Sequence, residues 1–212
     1  MPNWQVLVGR CCFLYMLYWL GHKMQGHVRI QSYCEDGVGI HDAIMEWFQP
    51  WNAYIRRPKS RRLQHALMLF ATVNVDLILM ALWGSFIFFG FTRFFVLFLV
   101  QMLIRQLLVC HFHLPVPNNI VWSRPFGLPS VFIDYEMKHD LFFSGHVSLC
   151  CLATEFLAEQ FGYIGLGIGL FLLCYNILFL YVFRVHWTAD IYAAMTTSTT
   201  FYLASLLVLQ RY

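Results

Sequence analysis

Charge is what this sequence has least of. Eleven acidic residues and fourteen Lys and Arg make up 12% of its 212 positions, against 59% hydrophobic and 18% aromatic residues. One water-soluble core of this length cannot bury so much apolar surface, which excludes an ordinary soluble domain and points to a bilayer. Paired cysteines are lacking as well. The seven cysteines include no C-x-x-C pair, so the common zinc signature is missing, and Cys11, Cys12, Cys110, Cys150, Cys151 and Cys174 lie in or beside apolar runs as small packing residues. The apolar stretch 4–20 has no basic segment before it and no small-residue cleavage site after it, so it is expected to be a retained span and not a secretory leader.

The net charge of +3 is small but unevenly spread, with seven of the fourteen Lys and Arg between residues 21 and 66 and five of those in RRPKSRR (56–62). A basic run beside an apolar span is a topology and lipid-surface signal, so no nucleic-acid partner is expected. The apolar runs recur near the roughly 20 residues needed to cross the hydrocarbon layer. They predict an all-α membrane protein in one domain, residues 1–212, with six transmembrane helices: 4–20, 66–91, 94–112, 144–160, 163–183 and 187–209. Arg10 in the first is expected to snorkel toward its near end. Between the first two spans, Ile40, Ile44, Trp47, Phe48 and Trp51 recur at helical spacing and predict an interfacial helix interrupted at Pro50. Residues 113–142 hold Pro115, Pro117, Pro125, Gly127 and Pro129 and read as an ordered loop.

With six spans, the loops after spans one, three and five share one side, so HDLFFSGHVS (139–148) and RVHWTADIYA (184–193) begin helices at the same membrane face. These stretches carry the chemistry. His186 and Asp190 are four residues apart, a spacing that on a helix lets the carboxylate orient the imidazole and leave its other nitrogen free to attack. Ser144 is a candidate N-cap, and with Gly145 it opens a helix whose first amides suit a phosphate. His146 would then be the acid that protonates a leaving alkoxide and the base that activates an acceptor hydroxyl. A lone H-x-x-x-D is usually structural; two polar elements at one face, at a depth where each costs energy without a task, favour a site. Zinc is a second reading on residue types alone, since His139, Asp140, His146, His186 and Asp190 supply enough ligands, though without tight paired spacing.

Other intramembrane polar groups read two ways. The planar forks of Arg105 and Arg184 suit phosphate oxygens, or cap span ends. Asn74, Asp76 and Glu155 fall inside predicted spans, where helix-to-helix hydrogen bonding is the common role and contact of Glu155 with a head-group amine the alternative. Trp122, Phe126, Phe132, Tyr135, Phe142 and Phe143 could box a quaternary ammonium or anchor the interface. TTSTT (196–200) reads as close helix packing.

Three motifs resemble one family. D-x-x-x-S-G-H (140–146), H-W-T-x-D (186–190) and Arg105 followed by L-P-V-P (114–117) are similar to the sphingomyelin synthase family of the lipid phosphatase-like superfamily. FFSGHV (142–147) also resembles plant phosphatidylcholine:diacylglycerol cholinephosphotransferases. The resemblance spans residues 100 to 195 and implies a six-span, cofactor-free and metal-independent enzyme. Such an enzyme moves a phospho-head group, phosphocholine first among them, from a glycerophospholipid donor to the hydroxyl of ceramide or diacylglycerol. It implies His186 as the nucleophile that becomes a phosphohistidine, Asp190 as its support, His146 as acid and base, and Asp140 as an auxiliary acid. Departures are Trp187 where the family usually has tyrosine, Val147 where threonine follows S-G-H, and a short loop after L-P-V-P. A lipid phosphatase or phospholipase-C-like hydrolase with the same residues is the alternative, but the K-x6-R-P element of the phosphatases is not matched. Sidedness is pulled two ways, because the basic 21–66 segment favours a cytosolic site and the resemblance an exoplasmic one. An oligomer is compatible with the sequence, which does not specify one.

Overall fold

The computed structural model describes residues 4–27, 41–111, 117–128, 130 and 143–209, and every regular element among them is helical. α1 is Trp4–His27, α2 Ala43–Trp47, α3 Gln49–Ile55, α4 Arg61–Gly84, α5 Thr92–His111, α6 Gly145–Phe183 and α7 Thr188–Leu209. A 3-10 turn, Pro58–Ser60, leads into α4 and a π-turn, Ser85–Phe89, ends it. Among the described residues, three helical stretches are long and apolar enough to cross a membrane: Pro58–Phe89, Gly145–Phe183 and Thr188–Val208.

Several expected boundaries move. The stretch expected to be one interfacial helix is two short ones joined at Phe48, and Pro50 sits in the first turn of α3, where a missing N–H costs nothing. α4 begins at Arg61, five residues before the expected span, so the basic run is partly its first turn. The Arg10 guanidinium donates to the Phe86 and Ile87 carbonyls at 3.0 and 2.9 Å, which ties α1 to the π-turn at the end of α4.

α6 is the element around which the others pack. Its apparent length of 39 residues hides a turn at Gly162, whose φ of 58° and ψ of −136° suit only glycine. After the turn the chain folds back on itself. A Cβ on Gly165 would overlap the Leu157 carbonyl, and one on Gly169 would come within 2.5 Å of Thr154 Cα, so residue numbers rise on one half as they fall on the other. The expected division into two helices, 144–160 and 163–183, thus appears as an antiparallel hairpin zipped by glycines at four-residue spacing.

The buried core joins α6 (Val147, Leu152, Leu180, Phe183) to α4 (Met68, Leu79), α5 (Phe94, Leu97) and α7 (Ile191, Ala194). Cys150 and Cys151 pack there as small residues, whereas Cys11, Cys12 and Cys174 are exposed. Polar ties cross the bundle at two levels. Ser148 Oγ donates to Gln101 Oε1 at 2.6 Å and Ser198 Oγ donates to the Ser148 carbonyl at 3.5 Å, linking α5, α6 and α7. In TTSTT only Ser198 is fully buried; Thr196, Thr199 and Thr200 are exposed, so most of that run does not pack as expected. At the other level Arg93 spans Glu159, at 2.8 and 3.2 Å, and donates through Nε to Ser205, while Tyr202 donates to Glu159. Glu155 belongs with this second group, electrostatically close to Arg93 and Glu159. Ten residues along the helix, about 15 Å, separate it from Gly145, which removes it from the histidine end and from contact with a head group there.

Candidate active site

The site is built where α6 begins, where it ends and where α7 begins. Ser144 caps α6 by accepting from the Val147 N–H, which leaves the Gly145 and His146 amides as first-turn donors with no acceptor in the helix. Gly145 has a second use: a Cβ there would stand 3.4 Å from Arg105 Nε, so Arg105 lies directly against the start of α6. A guanidinium at the positive end of a helix concentrates positive potential, which suits an anion.

The end of α6 aims His186. Arg184 is left-handed (φ 53°), its N–H donates to the Tyr181 carbonyl at 3.3 Å and the Val185 N–H to Leu180 at 3.0 Å, a Schellman closure with Arg where glycine is usual. The remaining carbonyls are met from outside the helix: Val121 N–H donates to Phe183, and Asn52 Nδ2 donates to Val182 and Asn119. Arg184 compensates its strained backbone with protein contacts, an ion pair with Glu46 at 3.2 Å and a bond to the Asn118 carbonyl at 3.4 Å. Its fork is therefore turned to α2 and to the 118–119 turn.

His186 and Asp190 come together, though not as expected. His186 precedes α7, so the two do not stack on one helical face; Asp190 is the third residue of the helix and reaches back over its start. Its Oδ2 accepts from the Trp187 N–H at 3.0 Å, half of a capping box, and stands 3.7 Å from His186 Nδ1. That distance is an electrostatic contact, longer than a hydrogen bond. Oδ1 of Asp190 is buried with no hydrogen-bond partner among the described residues, as is Nε2 of His146. The two stretches meet directly: the Ser144 N–H donates to the Asp190 carbonyl at 3.5 Å, and His146 is close enough to His186 and Arg105 for their charges to act on it.

Asp42, not expected from the sequence, fastens this arrangement to the chain before α4. Its Oδ1 caps α2 through the Met45 N–H at 3.0 Å and accepts from Thr188 Oγ1 at 2.7 Å, while Oδ2 accepts from the Thr188 N–H at 2.7 Å. Burial disfavours its charge, but the donors at Met45, Thr188 and Ile44 outweigh it and hold the carboxyl below its usual range. An Asp before a short apolar turn was a visible helix-start signal. Nothing local announced that it would cap a second helix 146 residues away. A cavity of about 370 Å³, lined by His41, Asp42, Ile44, Trp187 and Thr188 among others, opens beside this joint.

Asp140, His139, Leu114 to Val116, Phe132, Tyr135 and Phe142 lie outside the described residues. Among the described residues no three of His, Cys, Asp and Glu converge as metal ligands would. The described loop aromatics do not gather at one point. Trp122 meets His146 edge-on at 6.0 Å, Phe126 meets His65 at 4.9 Å, and Phe143 is fully buried. Asp76 accepts from Ser130 Oγ at 2.8 Å, a loop-to-helix tie. Set beside known proteins, the chain matches no protein-family model, no characterised protein and no solved structure.

Proposed function

We propose that this chain is a six-span membrane transferase, with α2 and α3 at the interface, that moves a phospho-head group from a glycerophospholipid to a lipid hydroxyl through a phosphohistidine. The meeting of His146 with His186, Asp190 and Arg105 at one end of the bundle supports this most directly. Two imidazoles, one beside a carboxylate, next to a guanidinium at a helix start are what phosphoryl transfer needs: nucleophile, acid and a cradle for charge.

In the first step His186 Nε2 attacks phosphorus, the bond from phosphorus to the donor's diacylglycerol oxygen breaks, and His146 gives that oxygen a proton. Asp190 stabilises the positive imidazole through Nδ1. In the second step His146 takes the proton of the acceptor hydroxyl, whose oxygen attacks phosphorus; the bond to nitrogen breaks and His186 is restored. Arg105 and the Gly145 and His146 amides stabilise the phosphorus oxygens, and Arg184, held by Glu46, positions the loop that carries His186. Phosphocholine is the head group we favour and ceramide or diacylglycerol the acceptor. The cavity beside Asp42 is the opening assigned to one of the lipids.

Purified protein in vesicles of phosphatidylcholine labelled in the head group, with ceramide or diacylglycerol added, tests this. Label is expected in a new phospholipid. Label found only as free phosphocholine would establish the hydrolase instead, and no turnover in either assay would exclude both.

A further inference from the structure

At the start of α4, on the side of Phe126, a cavity of about 570 Å³ is lined by Pro58, Lys59, Arg61, Arg62, His65 and Phe126. None of its lining side chains is acidic. The basic run around it divides into two sets. Arg56 donates to Asn119 and Arg57 lies over the Tyr54 ring at 5.7 Å, so both have partners in the protein. Lys59, Arg61 and Arg62 are exposed and make no ion pair among the described residues. Three cations of one sign, gathered at one cavity without acids, repel one another unless an anion is present.

The surroundings say which anion. α4 is one of the helices apolar enough to cross a membrane, and below its first turn it exposes Phe70, Val73, Leu77 and Met80. The neighbouring α3 exposes Trp51 and Tyr54, rings that favour the level of lipid head groups. Cations gathered at the start of a helix apolar enough to cross a membrane, beside rings at head-group level, suit the phosphate of an anionic phospholipid.

We infer that the cavity at Lys59, Arg61, Arg62 and His65 is a binding site for the phosphate-bearing head group of an anionic phospholipid, separate from the histidine cluster and independent of the transferase proposal. The full chain in phosphatidylcholine nanodiscs with a minor fraction of phosphatidic acid, followed by mass spectrometry of retained lipid, tests it. Phosphatidic acid is expected to be enriched on the protein. Replacing Lys59, Arg61 and Arg62 by Gln lowers that enrichment by about fivefold for each charge removed. Replacing Arg56 and Arg57 by Gln, which removes charge from the same segment but not from the cavity, has a clearly smaller effect per charge. All five positions are exposed, so these variants keep the fold, which circular dichroism checks. Equal enrichment in the wild type and the cavity variant overturns the inference, as does an equal loss per charge removed in the two variants. Displacement of the lipid by inorganic phosphate at matched concentration would assign the cavity to a soluble anion and overturn the lipid assignment.

Discussion

Asp190 has two tasks that one substitution series separates. Its carboxylate caps α7 through Trp187 N–H and faces His186 Nδ1. Asp190→Asn keeps an acceptor for the cap and removes the charge; it is expected to leave thermal stability nearly unchanged while turnover falls by roughly 10²–10⁴. Asp190→Ala loses the cap too, so its unfolding midpoint falls with about 1 kcal/mol of stability. Matched losses of stability and turnover in both variants would make Asp190 a structural cap alone. Asp42 gives a contrasting case, since it touches no reacting group in the proposed scheme. Asp42→Ala removes acceptors from the starts of two helices, at about 0.5–2 kcal/mol for each cap. The sign of its pH dependence follows from its lowered titration: its stabilising effect is full above about pH 4, the unfolded carboxyl range, and is lost as pH falls through the lower folded value. Thermal melts between neutral and acid pH should converge for Asp42→Ala and wild type at the acid end.

At the scale of elements the glycine zipper of α6 makes the sharpest prediction. A methyl at Gly169 meets the backbone of Thr154, which no rotamer change relieves. Gly169→Ala is therefore expected to cost about 1–3 kcal/mol as an overpacked contact, seen as a lower melting midpoint in detergent, while Gly167→Ala, where a Cβ meets nothing within 4 Å, is neutral. The helices themselves were readable because apolar runs of spanning length leave little choice, and the turn at Gly162 fell between two such runs. The joint of the site was read from spacing, and there the physical reason differed. A four-residue gap suggests one helical face, but His186 lies before the helix and Asp190 folds back as its cap, an outcome set by where α7 starts. Residue-scale partners from distant segments, Asp42 on Thr188, Glu46 on Arg184 and Asn52 on Val182, left no periodic trace. Each meets a backbone group or charge left open at the end of another helix, which a local pattern does not record.

For the molecule as a whole, the ends of the helices sort into two groups. Ser144, Arg105, His186, Asp42 and the start of α4 gather at one end, and Arg10 with the π-turn, and Arg93 with Glu159, lie toward the other. In a chain stripped of its native cysteines, single cysteines at 59 and 189 should react with an impermeant reagent from the same side of sealed vesicles, and those at 88 and 163 from the opposite side. Labelling of 59 and 189 from different sides would break the proposed six-span arrangement. The side on which 59 reacts in intact cells also decides between the cytosolic and exoplasmic site. The central claim is covalent, and its most direct measurement is the intact mass of purified protein given labelled phosphatidylcholine without acceptor. A phosphocholine adduct is predicted on His186, absent in His186→Ala and discharged when diacylglycerol or ceramide is added. Turnover that proceeds with no adduct, or an adduct that persists in His186→Ala, would contradict it.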